Sequence, residues 1–233
     1  NTSSLSHEVV LEGLENPWDV ALRADGTMLF TEKCKGLSVR MPDGSVNALY
    51  GVGETEGYAS NGDDLFCEGQ AGMMGVAFDP KFDENRRIYV YSTSNMSDPH
   101  TNRLMRFEVN EDFTGVSGRT DIIDDVPYKM KASDHPFGGP GAHNGGRVRD
   151  NHNSEVPQSP TMMGSKVIRV DTDGNAAPEN NPPEGFDKRT YTYGHRNTQG
   201  ITFNASGTPI TAEHGPWHSD EITVLENGGN AGW

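Results

Sequence analysis

Residues 16–31, NPWDVALRADGTMLFT, join two apolar runs through an Asp-Gly pair. Asp-Gly between two runs of this kind is a strong signal for a β-hairpin. The same strand-turn-strand unit recurs in residues 75–91, GVAFDPKFDENRRIYVY, and in residues 200–211, GITFNASGTPIT. Repetition of one hairpin unit along the chain predicts an all-β fold built from several similar sheets.

Two further runs, LMRFEV at 104–109 and KVIRV at 166–170, alternate apolar and polar residues. Alternation of this kind is typical of strands with one face in water, so we expect each run to be an outer strand that completes a sheet. Together the units predict the blades of a β-propeller.

The stretch between the second and third units is too long for one blade of roughly 40 to 50 residues, so a further unit is expected there. The sequence HNGGRV at 143–148 would begin that unit. Arg149, however, runs directly into Asp150 without a turn or a second strand. A blade that lacks an inner strand exposes unpaired backbone groups, so we expect Arg149 and Asp150 not to be neighbours in the native protein.

The units amount to about four blades, one of them damaged near residues 149–150, whereas propellers commonly have more. We therefore expect residues 1–233 to be the N-terminal part of a single propeller domain in a longer protein. Residues 51–61 and 175–185 are rich in Gly, Pro and Asn and are expected to be excursions from the blades.

Composition and charge narrow the classes of partner. The formal net charge of −15 comes from 34 acidic and 19 basic residues, so phosphate backbones and anionic membranes would be repelled. Nucleic acid is therefore an unfavourable partner. The sequence contains no run of about 18 apolar residues, so it predicts no membrane-spanning helix. The chain begins at Asn1 without Met, as a processed secreted protein could.

Cys34 and Cys67 are the two cysteines of the chain. Their spacing does not match a zinc site, whereas a disulfide would fit an oxidising compartment. The alternative is a pair of buried thiols, and the sequence leaves both open.

Four segments carry most of the functional information. In chain order they are EGQAGMMGVAFDP at 68–80, HNGGR at 143–147, GHRNTQG at 194–200 and EHGPWHSDE at 213–221. With these motifs the chain resembles the soluble aldose (glucose) dehydrogenases that depend on pyrroloquinoline quinone (PQQ). The resemblance covers nearly the whole chain and implies a six-bladed propeller of four-stranded antiparallel blades, located in the bacterial periplasm or secreted.

The resemblance also implies an activity: oxidation of the C1 hydroxyl of an aldose to the lactone, with hydride transfer to PQQ and electrons passed to an external acceptor. His143 would be the general base for the sugar hydroxyl, a role that suits a group titrating near neutrality. Read without the family, His143 lies on a glycine-rich loop, where an exposed or turn-bonded histidine is the more common outcome.

The other site residues follow from the same resemblance. Arg196 and Asn197 match the pair that hydrogen-bonds the quinone oxygens, and the permanent charge of Arg196 would also assist catalysis. Gly215 and Pro216 match the backbone carbonyls that hold Ca²⁺, a cation that accepts such oxygens readily. Gln70 matches a residue near the sugar.

Each of these residues also has an ordinary structural interpretation. Arg196 could form a salt bridge, Asn197 could be a turn residue, Gln70 could be a surface amide, and Gly-Pro is a common turn. Acidic residues after the turn, Asp220 and Glu221, are candidates only for indirect support of the metal.

The chain departs from the glucose enzyme at two positions. Ala142 stands where that enzyme has an acidic residue, and His214 stands where it has an amide. Substrate preference is therefore left open by the sequence.

Two other functions are compatible with the sequence. A calcium-dependent lactonase on the same architecture would need carboxylate ligands from several blades. A non-catalytic binding module is the third hypothesis, because propellers host many functions.

Overall fold

In a computed structural model, which describes residues 6–128, 155–215 and 218–233, the first hairpin opens a sheet of five strands. Its antiparallel part, blade 1, follows chain order, with β1 innermost. The strands are β1 Pro17–Leu22, β2 Met28–Glu32, β3 Gly36–Arg40 and β4 Val46–Gly51. A two-residue strand, β5 Ser60–Asn61, pairs in parallel with β4 after a 3-10 turn at Glu54–Glu56. The expected excursion at 51–61 is therefore partly a sheet edge.

The second unit forms blade 2, a four-stranded antiparallel sheet. Its strands are β6 Met73–Phe78, β7 Arg87–Ser94, β8 Thr101–Val109 and β9 Val116–Pro127. A short helix, α1 Phe82–Asn85, lies in the β6–β7 connection. The prediction that residues 104–109 form the outer strand was wrong, because β9 pairs beyond β8. β9 is rich in polar residues and carries little apolar pattern, as an edge strand in water can.

The rest of the described chain forms two smaller sheets. Blade 3 contains β10 Lys166–Ile168 paired with β11 Thr190–Tyr193, and blade 4 contains β12 Thr198–Phe203, β13 Pro209–Glu213 and β14 Glu221–Val224. A helical turn, α2 Glu155–Gln158, precedes blade 3. The predicted break between Arg149 and Asp150 lies outside the described residues.

The main hydrophobic core fills the space between blades 1 and 2. Alternating positions of β2, β3, β6, β7 and β8 supply fully or almost fully buried side chains: Leu29, Leu37, Val39, Met73, Ile88, Val90, Met105 and Phe107. The two inner strands are also joined by a polar contact, since the Val76 N–H donates to the Asp19 carboxylate at 3.0 Å. Burial of this much apolar surface is the principal stabilising contribution.

Strands from all four sheets meet around one cavity of about 430 Å³. Its lining includes Val20 on β1, Val76 on β6, Ile168 on β10 and Ile201 on β12. Tyr89, Leu104 and Ile123 from the other strands of blade 2 also line this cavity. A cavity bordered by several successive sheets fits a propeller, in which sheets are arranged around one axis.

Cys34 and Cys67 form a disulfide across a separation of 33 residues. The bond ties the turn after β2 to the segment that leads into β6. The sequence had left free thiols as an alternative, and the structure decides for the disulfide. Among the described residues, no helix is long and apolar enough to cross a membrane.

Candidate active site

The turn before β12 begins at Gly194, which has a φ of +74°. A Cβ at this position would collide with the Asn230 carboxamide oxygen, so both conformation and space require glycine. The Gly194 N–H donates to the Pro157 carbonyl, and the Trp233 N–H donates to the Gly194 carbonyl. The turn is thus fixed from both sides before the candidate residues begin.

One carboxylate holds the three residues that follow. Glu213, the last residue of β13, accepts hydrogen bonds through Oε1 from the backbone N–H groups of Arg196 and Asn197. Its Oε2 lies 2.9 Å from Nδ1 of His195. Glu213 is 7% exposed and His195 is fully buried. Backbone and side chain of residues 195–197 are therefore organised by one buried group.

These bonds set the charge state of Glu213. Burial raises the pKa of its carboxyl, but the hydrogen bonds from His195 and the two backbone N–H groups outweigh burial and lower the pKa. Because the ionised carboxylate can only accept, Nδ1 of His195 carries a hydrogen and donates it. The other ring nitrogen lies 2.8 Å from the Thr192 hydroxyl, which fixes the ring orientation.

Arg196 is 6% exposed and lines a cavity of about 230 Å³ with Gly215, His218 and Trp233. Its Nη1 donates to the His214 carbonyl at 2.7 Å, and its guanidinium carbon lies 5.5 Å from the Trp233 ring centroid. A guanidinium held in this way presents a permanent positive charge to the cavity wall.

Asn197 is buried beside Arg196, and its carboxamide has a defined orientation. Gln199 Nε2 donates to Asn197 Oδ1 at 2.5 Å. Because the oxygen is engaged in this way, the NH₂ group of Asn197 is the end that can donate to a ligand. The backbone N–H groups of Arg196 and Asn197 share one acceptor, and the role of the pair as quinone ligands stays a prediction.

Gly215 lines the same cavity. Its N–H donates to Asp220 Oδ1 at 2.9 Å, and its carbonyl lies 2.5 Å from His214 Nδ1. A Cβ on Gly215 would collide with the His218 carbonyl, so the turn needs glycine. One carbonyl and one nearby carboxylate are hard oxygen donors of the kind that Ca²⁺ prefers. The donor chemistry fits calcium, provided that the His214 ring releases the carbonyl.

Gln70 lies elsewhere, in the segment that leads into β6. Lys33 Nζ donates to the carbonyl of Gly69, and the Met73 N–H donates to the Lys33 carbonyl at 2.8 Å. Together with the disulfide of Cys67, these bonds fasten the Gln70 segment to blade 1. Gln70 is not among the described residues that line the 230 Å³ cavity.

His143 and Pro216, the predicted base and the second predicted metal ligand, lie outside the described residues. Glu213 and His195 were within the quoted motifs, but sequence reasoning gave neither a role. A signal existed: Glu32 follows Glu15 by the same 17 residues that separate Glu213 from Arg196.

The described residues contain no group of three or more His, Cys, Asp or Glu side chains that could hold a metal. The lactonase hypothesis, which needs several carboxylate ligands, receives no support from them. Calcium held through backbone carbonyls leaves no such cluster.

Fold and site together define a β-propeller protein in which a buried guanidinium lines a cavity next to a buried carboxamide. The chain belongs to the Glucose / Sorbosone dehydrogenase family, whose pattern matches residues 14–233. This match confirms the resemblance drawn from the four motifs.

Similar proteins carry related names. The chain is 27% identical to quinoprotein glucose dehydrogenase B of Acinetobacter calcoaceticus, over all of this chain and 53% of that protein. It is 24% identical to the aldose sugar dehydrogenase YliI of Escherichia coli K12, over 99% of this chain and 62% of that protein. The chain thus spans little more than half the length of these curated relatives.

Solved structures confirm the fold. The PQQ-bound aldose sugar dehydrogenase of Streptomyces coelicolor matches with a TM-score of 0.78 at 24% identity, over 97% of this chain and 64% of that chain. The apo-form of the soluble aldose sugar dehydrogenase of E. coli matches with a TM-score of 0.77, also at 24% identity, over 97% and 65%. The predicted all-β propeller class is therefore correct, and the number of blades in the whole propeller stays a prediction.

Proposed function

We propose that this protein oxidises aldose sugars at the C1 hydroxyl to the lactone, using PQQ as the hydride acceptor and Ca²⁺ as a second cofactor. The observation that carries the proposal is the placement of Arg196, a buried guanidinium that lines the 230 Å³ cavity, next to Asn197, with the backbone N–H groups of both residues held by Glu213. Family membership and the names of the relatives support the same substrate class.

Arg196 and Asn197 have complementary tasks in this proposal. The quinone, when bound, supplies an electrophilic centre that takes hydride from the sugar C1 carbon. Arg196 would bind the quinone oxygens and stabilise negative charge on them through its permanent positive charge. Asn197 would add a neutral donor, and Gln199 keeps the NH₂ end of that amide available.

Gly215 and Pro216 would hold Ca²⁺ through their carbonyl oxygens, and Asp220 would orient the turn through the Gly215 N–H. A calcium ion next to Arg196 adds positive charge on the same side of the cavity. The fully formed site would then favour an acidic, electron-accepting ligand.

His143 would take the proton of the C1 hydroxyl, and Gln70 would contact the sugar. Both roles rest on the resemblance. A periplasmic or secreted location and an external electron acceptor complete the proposal, and the disulfide supports an oxidising compartment.

The test is sugar-dependent reduction of an artificial dye by the purified protein, with and without added PQQ and Ca²⁺. We expect activity that requires both additions. Replacement His143→Ala should lower the rate by roughly 10²- to 10⁴-fold. PQQ binding is measured by the absorbance of the quinone. If the protein neither reduces the dye nor binds PQQ, the proposal is wrong and a binding module is favoured.

A further inference from the structure

The turn at residues 195–197 is held by more than ordinary strand pairing. Glu213 engages two consecutive backbone N–H groups and one imidazole, and the His214 N–H donates back to the Asn197 carbonyl at 2.9 Å. The three residues that donate to Glu213, namely His195, Arg196 and Asn197, are all buried. Hydrogen bonds to an ionised acceptor are stronger than neutral ones, and their loss in a buried site leaves donors without a partner.

Blade 1 contains the same device without the same side chains. Glu32 Oε1 accepts the Glu15 N–H at 2.6 Å, and the Lys33 N–H donates to the Asn16 carbonyl at 3.1 Å. Pro17 pairs with Glu32 as Thr198 pairs with Glu213. We call this arrangement the strand-end clamp: a glutamate at the end of the second strand that accepts the backbone N–H two residues before the inner strand.

The two clamps differ in what they hold. In blade 1 the clamped residue is Glu15, whose side chain is 69% exposed and pairs with Lys35. In blade 4 the clamped residue is Arg196, whose side chain is buried and faces the 230 Å³ cavity. Glu213 also holds Asn197 and His195.

We propose that Glu213 is the positioning residue of the quinone site, fixing the adjacent donors Arg196 and Asn197 through their backbone while His195 locks the carboxylate in place. This inference rests on the proposed function, because it assumes that these two donors receive the quinone. Glu213 itself need not touch the ligand.

The experiment compares Glu213→Ala and Glu213→Gln with the matched variants Glu32→Ala and Glu32→Gln, all in the full chain. Two quantities are measured: the dissociation constant of PQQ by absorbance titration, and hydrogen exchange of the Arg196 and Asn197 amides. The exchange measurement needs no ligand, so it separates the clamp from the proposed function.

Glu213→Ala should weaken PQQ binding about 100-fold and speed exchange of both amides, because two buried donors lose a charged acceptor. Glu213→Gln keeps an acceptor oxygen, so its binding should fall only about 10-fold. Both Glu32 variants should bind PQQ as the parent does. If Glu213→Ala does not fold, the contrast between Glu213→Gln and Glu32→Gln carries the same test.

Three results would overturn the proposal. One is PQQ binding in the folded Glu213 variants equal to that of the parent. Another is an equal loss in the Glu32 variants, which would mean general destabilisation. A third is a parent protein that does not bind PQQ while the Arg196 and Asn197 amides still lose protection in Glu213→Ala. In that case Glu213 holds the turn but positions no quinone donors, and the proposed function is wrong.

Discussion

The turn before β1 and the turn before β12 share a backbone hydrogen bond to a strand-end glutamate and differ in most of their side chains. Both have a glutamate 17 residues downstream that accepts an N–H group, and both have an asparagine next to the inner strand. In blade 1 the clamped side chain is an exposed carboxylate, and in blade 4 it is a buried guanidinium. The comparison separates what builds a blade from what makes it chemically useful.

The segments after the second strands extend this comparison. Gly215 occupies in blade 4 the place that Cys34 occupies in blade 1, two residues beyond the clamp glutamate. Blade 1 fastens the segment covalently to Cys67, whereas blade 4 fastens it with a hydrogen bond to Asp220. Blade 1 thus closes this segment with a covalent bond, whereas the glycine turn of blade 4 places at the cavity a residue whose carbonyl lies 2.5 Å from His214 Nδ1.

The largest difference is expected between removal of the Arg196 charge in blade 4 and removal of the Glu15 charge at the matching position of blade 1. Arg196→Met should lower the rate of PQQ-dependent sugar oxidation by about 10²- to 10³-fold, the range seen when one donor to a developing negative charge is lost. The matched change Glu15→Met should alter the rate less than about two-fold, because exposed ion pairs contribute little. Dye-linked steady-state kinetics measure both, and equal losses would erase the distinction between the two turns.

A smaller effect is expected from removal of the Cys34–Cys67 disulfide in blade 1 and of the Asp220 hydrogen bond in blade 4. Replacement of both cysteines, Cys34→Ser with Cys67→Ser, should lower the free energy of unfolding by about 3 kcal/mol, since a closed loop of 33 residues no longer restricts the unfolded chain. Asp220→Ala should cost only about 1 kcal/mol, the usual worth of one hydrogen bond. Urea unfolding gives both values.

The reverse order of these two losses would show that the blade 4 turn, not the disulfide, is the stronger fastening. If the Cys34/Cys67 variant keeps the PQQ affinity of the parent, the effect of the disulfide is limited to blade 1 and the Gln70 segment.

The smallest expected effect is the loss of stability at acid pH that depends on Asp64. Burial raises the pKa of Asp64, but its paired hydrogen bonds with Arg119, at 2.6 and 2.9 Å, outweigh burial and lower the pKa to about 2. A carboxyl with a lowered folded-state pKa stabilises the protein above its unfolded pKa of about 3.9, and this contribution is lost as the pH falls through about 2.

Because the pair is partly exposed, we expect the contribution to be about 1 kcal/mol. Urea midpoints measured between neutral pH and acid should show this loss in the parent and a flatter profile in Asp64→Asn. An unchanged pH profile in Asp64→Asn would mean that acid destabilises the protein through carboxyl groups other than Asp64.

The hairpins were predictable because turn chemistry and apolar runs are local properties. Asp25-Gly26 and Ser206-Gly207 mark turns between runs that became β1–β2 and β12–β13. β9 was missed because an edge strand can be polar, and β5 because a two-residue strand has no period to detect. The parallel pairing of β5 with β4 is decided by tertiary contacts.

The site was predicted in part. Arg196, Asn197 and Gly215 came from motifs whose meaning depended on a family resemblance, and the structure brings Arg196 and Gly215 to one cavity. Glu213 could not be assigned from local pattern, because a glutamate at the end of a strand usually lies in water. Only its burial, and the three donors around it, distinguish it from the many other carboxylates of this acidic chain.

A clamp that recurs in two blades also has an evolutionary meaning. Since Glu32 and Glu213 hold backbone and not side-chain atoms, the residue two positions before an inner strand is free to change without rebuilding the turn. Duplication of such a blade would give each copy the same backbone turn, at which one or two mutations can introduce an arginine or a glutamate. A new function on this fold would then begin with a change of side chain at that position, while the blade architecture is retained.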